Sequence, residues 1–280
     1  MKCRYILLHY HIFKNAGSTI AWVLERVFGN AFRLIEASFD EGTIVKSELI
    51  QFVRENRQVA ALSGHHFCLP APRHKRYRFV EFCLLRHPMD RHQSIWQYYR
   101  RLERSTNPTV AKAQELSLPD YLLWLRSNQP YNLINVQTCV LGNRGRYFFP
   151  PAPCHLDRAV ATMRELAILG LVERMDDGLI VAEHFLRPYF GKLDLSYISQ
   201  NTRPERPSTL AERLDEMRRL CGESLYCELE ALNRLDFQLL AAAEGEFDRR
   251  IQVIPDMEQR RQDFQARCDA LLRQSTHSAS

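Results

Sequence analysis

No apolar run in this 280-residue chain approaches the roughly 18 residues that a membrane-spanning helix needs. The opening Met1-Lys2-Cys3-Arg4 passes straight into an apolar stretch, without the long hydrophobic region and small-residue cleavage site of a secretion signal. The eight cysteines form no C-x-x-C pair, so a disulfide framework is not expected in a chain of this kind. Cys3 and Cys83 lie in or beside apolar runs and read as small hydrophobes. Internal repeats, low-complexity tracts and a clear interdomain linker are missing as well. Together these absences set the expectation of a cytoplasmic protein without a membrane span.

What is there is ordinary in amount and uneven in placement. Hydrophobic residues make up 45% and charged residues 25%, enough for one large core or two small ones. The net charge is +5, yet residues 64–104 alone hold nine Lys or Arg against three acids, and five of the ten histidines. A local field of that sign attracts anions: a nucleotide, an acidic sugar or a nucleic acid.

The run His11-Ile12-Phe13-Lys14-Asn15-Ala16-Gly17-Ser18-Thr19 follows the apolar Tyr5-Ile6-Leu7-Leu8. It reads as a buried strand, Tyr5–Tyr10, entering a small-residue loop and then a helix over Thr19–Phe28. Backbone N–H groups and the positive end of a helix dipole converge at such a junction, ready for a phosphate or sulfate. Lys14 adds a full charge, and Ser18 and Thr19 add hydroxyl donors. The loop is not a Walker loop, because its lysine precedes the only glycine instead of following it.

Strand and helix alternate after it. A helix is expected over Thr43–Asn56, strands over Val59–Leu62 and Phe79–Leu85, and a helix from Pro88 to about Arg104. The stretch 107–167 is mostly helical, broken at Gly142-Asn143-Arg144-Gly145 and at Pro150-Pro151-Ala152-Pro153. A strand over Ala167–Val172 and a helix over Asp176–Phe190 follow. Beyond Arg203-Pro204-Glu205-Arg206-Pro207 the chain is helical, opening on a capping box at Thr209–Glu212. This order predicts an α/β fold, a parallel sheet flanked by helices with a helical C-terminal part. Residues 1–245 form the main domain and 246–280 a C-terminal extension. In that extension Met257, Phe264, Cys268 and Leu271 share one helical face that packs on the body or on a partner, and Ser275–Ser280 form a disordered tail.

Strand Phe79–Leu85 runs into Arg86-His87-Pro88-Met89-Asp90-Arg91-His92-Gln93-Ser94. Arg86 therefore leaves the carboxyl end of a central strand, where open α/β sheets bind ligands, and Ser94 lies about two turns into the next helix. The two segments together resemble the cofactor signature of sulfotransferases that use 3′-phosphoadenosine 5′-phosphosulfate (PAPS). The first signature usually runs Pro-Lys-x-Gly-Gly/Ala-Thr/Ser-Ser/Thr, and the second Arg-Asp-Pro-x-x-Arg-x-x-Ser. Here Phe13 replaces the proline, Ala16 a glycine and His87 the aspartate. Asn135-Val-Gln137-Thr138, Leu171-Val-Glu173-Arg174-Met-Asp-Asp177 and Tyr197…Asn201-Thr-Arg-Pro204 extend the resemblance to the carbohydrate-type branch that includes the uronosyl sulfotransferases. Coverage is roughly residues 4–245.

The resemblance implies a P-loop-NTPase-like fold and transfer of a sulfuryl group to an acceptor hydroxyl on a carbohydrate or small molecule. Lys14, Asn15, Ala16, Gly17, Ser18 and Thr19 would hold the 5′-phosphosulfate, and Arg86 and Ser94 the 3′-phosphate. A histidine after a glycine serves as base in that branch, and Gly64-His65-His66 supplies His65, with His66 in reserve. A neutral imidazole suits the task chemically. No metal is implied; a zinc cluster of His9, His11, His65 and His66 is the less favoured reading, since no carboxylate accompanies it. An ATP-dependent kinase or NTPase and a non-catalytic nucleotide- or polyanion-binding module are the alternatives. Lys75, Arg76 and Arg78 suggest an anionic acceptor such as an acidic sugar. Neither a nucleic-acid partner nor a membrane is expected, and a homo-oligomer is left open.

Overall fold

The computed structural model describes residues 3–37, 42–147, 152–200 and 209–278. Five strands form the sheet: β1 (Arg4–Tyr10), β2 (Phe32–Leu34), β3 (Ala61–Gly64), β4 (Tyr77–Leu85) and β5 (Ile168–Leu171). All pair in parallel, in the order β2-β3-β1-β4-β5. The chain passes from β1 to the edge strand β2, returns through β3 beside β1, then crosses to β4 and β5 on the other side. That reversal opens a crevice beside the carboxyl end of β1, the place where such sheets bind ligands.

Both faces of the sheet are covered, which explains why its strands read as unbroken apolar runs. Ile6, Leu8 and Tyr10 of β1 and Cys83 and Leu85 of β4 belong to one buried cluster. Leu7 of β1 and Val80, Phe82 and Leu84 of β4 belong to the other. The first is covered by α2 (Lys46–Glu55), α6 (Val136–Gly142), α7 (Pro153–Glu165) and α11 (Arg234–Gln252). The second is covered by α1 (Gly17–Phe28), α8 (Met175–Phe190) and α12 (Met257–Ser278). A third cluster, lying beyond the sheet, joins α3 (Pro88–Tyr99), α4 (Pro108–Glu115), α5 (Leu118–Asn128), α9 (Leu210–Cys221) and α10 (Glu223–Leu232).

The α/β architecture and the helical C-terminal part agree with expectation, with shifts at the edges. The second helix begins at Lys46 instead of Thr43, because Ile44 is drawn into a parallel bridge with Phe67. β3 lies two residues later than expected, and α3 stops at Tyr99 instead of Arg104. The capping box holds: Thr209 N donates to Glu212 Oε2 at 3.0 Å, and Glu212 N to Thr209 Oγ1 at 3.2 Å. The segments at 201–208 and 148–151, including Asn201, Arg203 and Pro204, lie outside the described residues. Residue 245 falls inside α11. No helix among the described residues is long and apolar enough to cross a membrane.

The C-terminal helix packs on the body through Met257, Phe264 and Cys268. Contrary to the expected loose tail from Ser275, the helix continues to Ser278. Its Arg267 reaches Glu183 at 2.7 Å and also pairs with Asp194, while Cys268 Sγ accepts from Tyr197 N at 3.4 Å. These contacts fix the stretch 194–200 that borders the crevice. Phe264→Ala is therefore expected to lower stability by about 3–5 kcal/mol, the cost of emptying a buried aromatic site. Urea unfolding checks this; a loss under 1 kcal/mol would mean that α12 is peripheral to the fold.

Candidate functional site

A cavity of about 480 Å³ lies at the carboxyl end of the sheet. Lys14, Ala16, Gly17, Ser18, Thr19, Arg86, Ser94 and His65 all line it. The structure therefore gathers on one cavity most of the residues singled out from the sequence. Asn15 and His66 are the exceptions. Asn15 is almost fully buried, and its Nδ2 donates to Leu84 O at 2.8 Å and to Gln137 Oε1 at 2.7 Å. It fastens the loop to the end of β4. His66 faces a neighbouring cavity.

The loop itself is held in an unusual shape. Lys14 and Ala16 both have left-handed backbones, φ 64° and 59°. Each costs roughly 1–2 kcal/mol for a residue with a Cβ, so other contacts must impose the shape. Arg91 Nε donates to Phe13 O at 2.9 Å, and Arg86 Nη1 donates to Lys14 O at 2.6 Å. With its carbonyls held from behind, the turn forms a concave backbone of the kind that binds anions, and it leads directly into the first turn of α1. Gly17 is required at that junction: a Cβ there would lie 1.6 Å from the Nε2 of His11.

The second cationic element is built around Asp90, whose side chain is fully buried. Its Oδ2 accepts from Arg86 Nε at 2.9 Å and Nη2 at 2.7 Å, and its Oδ1 accepts from Arg213 Nε at 2.8 Å. One carboxylate thus gathers two guanidinium groups at the wall of the cavity. Arg213, on α9, was not singled out from the sequence. It lies 123 positions from Asp90 in the chain and outside both motifs. Lys14 completes the set, its Nζ standing 4.1 Å above the ring of Tyr98. Glu173 also lines the cavity. Burial raises its pKa, and its Oε1 accepts from His87 N at 2.8 Å.

His65 is oriented by backbone. Its Nδ1 lies 2.5 Å from His11 O, an acceptor only, so Nδ1 carries the proton and Nε2 the lone pair. Gly64, just before it, is fixed by contact, since a Cβ there would meet Ile35 O at 2.0 Å. Burial lowers the His65 pKa, partly offset by Glu36, whose Oε1 is 4.0 Å from Nε2. Glu36 also accepts from His65 N at 3.1 Å, and its Oε2 lies 3.1 Å from His66 Nδ1. His65 is thus neutral near pH 7, with a carboxylate at hand to balance a proton it gains.

The histidines at positions 9 and 11 are also neutral. Burial pushes His9 down to about 3, and His11 well below its usual value. His9 Nδ1 is engaged with Ser63 Oγ at 2.8 Å, and the His11 and His65 rings lie 3.9 Å apart, tilted by 30°. Among the described residues, no group of three or more His, Cys, Asp or Glu is placed to hold a metal ion. The basic window divides: Arg86 and Arg91 are buried in the site, whereas Lys75, Arg76 and Arg78 lie at the amino end of β4. A nine-residue strand, roughly 25–30 Å, separates them from the cavity.

No family model matches the chain. A protein of Archaeoglobus fulgidus, described as uncharacterized, is 26% identical over 245 residues, spanning 84% of this chain and 94% of its own.

The left-handed turn makes a prediction of its own. Ala16→Gly relieves a steric cost and is expected to stabilise the protein by about 0.5–1 kcal/mol. Ala16→Val, with a branched Cβ at the same φ, should destabilise it by about 1–3 kcal/mol. Thermal unfolding of the two variants orders them; a more stable valine variant would show that the turn is not left-handed in solution.

Proposed function

We propose that the chain is a PAPS-dependent sulfotransferase that moves a sulfuryl group to an acceptor hydroxyl by in-line displacement. The observation that carries the reading is the meeting of two separate cationic elements on one cavity that His65 also lines. A donor bearing phosphate at both the 5′ and 3′ positions suits two such elements. Lys14, Ser18, Thr19 and the first turn of α1 would hold the 5′-phosphosulfate, and Arg86, Ser94 and Arg213 the 3′-phosphate. Bound PAPS supplies an activated sulfuryl group with 3′-phosphoadenosine 5′-phosphate (PAP) as leaving group. Lys14 offsets the negative charge that gathers at the 5′ end. His65 Nε2 takes the acceptor proton, and Glu36 balances the imidazolium. A Mg-ATP enzyme has less support: Asp90 is shared between two arginines, and Glu173 accepts from His87 N.

Cofactor choice tests the two-phosphate assignment. Calorimetry should show PAP binding roughly ten- to a hundredfold more tightly than 5′-AMP, the effect of a charge-assisted contact. Arg213→Ala should narrow that gap. Equal affinities for PAP and 5′-AMP would remove the assignment.

The base is tested by pH. A base acts when deprotonated, so the rate is full above its pKa and falls as pH drops through it. Because burial lowers His65, the acidic limb should lie below imidazole's ordinary 6.5. Glu36→Gln removes a carboxylate that raises this pKa, and should move the limb further to acid. His65→Ala should lose about 10²–10⁴-fold in kcat with PAP affinity unchanged. A limb indifferent to both substitutions would assign the proton to another group.

A further inference from the structure

A second cavity, about 390 Å³, adjoins the first and shares Phe13, His65 and Tyr98 with it. Tyr99, Tyr121 and Tyr147 add three more rings, and aliphatic side chains from α3, α4, α5 and α6 fill between them. The Phe13 and Tyr99 rings stack at 5.7 Å, and Tyr98 meets Phe13 edge-on at 5.8 Å. Volume and lining suit a small, flat, apolar molecule.

Charge points the same way. Among the described residues that line this cavity, Arg91 is the only Lys or Arg. Its Nε is engaged with Phe13 O, and Asp236 lies close enough to raise its pKa against the lowering effect of burial. Two of the polar side chains are committed to each other's neighbours: Thr109 Oγ1 donates to Gln129 Oε1 at 2.5 Å, and Asn132 Nδ2 to the same atom at 2.8 Å. Glu36, beside His65 and His66, is held ionised: burial raises its pKa, but its bonds to the two histidines lower it further. Glu36 lines neither cavity, but its charge 4.0 Å from His65 Nε2 disfavours an anionic group placed beside that nitrogen. The exposed basic run Lys75–Arg78, at the far end of β4, does not reach the cavity.

Among the described residues that line this cavity, one buried polar side-chain atom has no partner. The Tyr121 side chain is fully buried, and its hydroxyl has no partner. Burial keeps it protonated, hence a donor. Buried hydroxyls are rarely left unpaired, so a ligand oxygen is the natural partner.

We infer that this cavity takes an uncharged aromatic alcohol, its reacting hydroxyl at His65 Nε2 and a second, hydrogen-bond-accepting oxygen at the Tyr121 hydroxyl. The acceptor role rests on the sulfuryl-transfer reading above; the binding does not. In the step, the acceptor O–H bond breaks, its proton goes to Nε2, and its oxygen forms a bond to sulfur. The bond from sulfur to the bridging oxygen of PAPS breaks, and that electron pair leaves with PAP.

Three probes test this by calorimetry: 2-naphthol, 4-hydroxyacetophenone and a uronate-bearing oligosaccharide. Both phenols should bind and the oligosaccharide should not. Val110→Trp, which fills the cavity, and Leu102→Asp, at an exposed rim position, should each weaken both phenols at least about tenfold. PAP affinity should be unchanged, which shows that these variants are folded. Tyr121→Phe should weaken 4-hydroxyacetophenone about three- to tenfold and leave 2-naphthol as it was. Binding of the oligosaccharide in place of the phenols overturns the inference, as does an equal effect of Tyr121→Phe on both phenols. If the phenols bind as expected but PAP does not, the sulfuryl-transfer reading fails while the cavity's chemistry stands.

Discussion

Everything at the candidate site depends on the grip that the end of β4 and the start of α3 exert on the loop after β1. Arg91 holds the carbonyl of Phe13, Arg86 that of Lys14, and the Asn15 amide is anchored on Leu84 and Gln137. These three residues are buried, so water does not compete for the contacts. The grip offsets the cost of two left-handed residues and turns the carbonyls away from the concave side. A loop free to relax would lose both the turn and the position of Lys14.

The grip is charged, and its charge is managed by few carboxylates. Removing Asp90 would leave Arg86 buried without its partner, the situation that makes broken buried pairs strongly destabilising. Asp236 plays the matching part on the other side. It accepts from Thr138 N at 2.7 Å and Gln137 N at 3.2 Å, capping α6, while Asn135 Oδ1 accepts from Leu235 N at 2.9 Å to begin α11. Gln137, thus placed, bridges Asn15 and the backbone of Arg86, accepting from Arg86 N at 3.0 Å and donating to Arg86 O at 2.8 Å. The Asn135–Thr138 segment therefore supports the loop from behind and does not line the first cavity.

The sheet was legible because its strands are buried on both faces and read as apolar runs bounded by turns. β2 was not: it has three residues, Phe32–Leu34, of which Leu34 is exposed, so no pattern marks it. The loop after β1 and the Arg86 segment were legible because each is contiguous. Arg213 was not, since a single arginine on an amphipathic helix carries no local sign of the carboxylate it will meet across 123 positions. The basic window showed a similar limit. Net charge cannot tell the buried Arg86 and Arg91 from the remote Lys75–Arg78 run.

Sequence also could not choose between His65 and His66, because adjacent residues on an extended chain point different ways and both follow the same glycine. Packing chooses. His65 is drawn inward by the His11 carbonyl, lies against the His11 ring at 3.9 Å, and borders both cavities. His66 is turned to Glu36 and borders one. Under the proposed reading, a base must stand on the shared wall, where it can touch an acceptor in one chamber while a donor occupies the other. The geometry that fixes the tautomer of His65 also fixes its place on that wall, so its position and the lone pair on Nε2 have one structural cause.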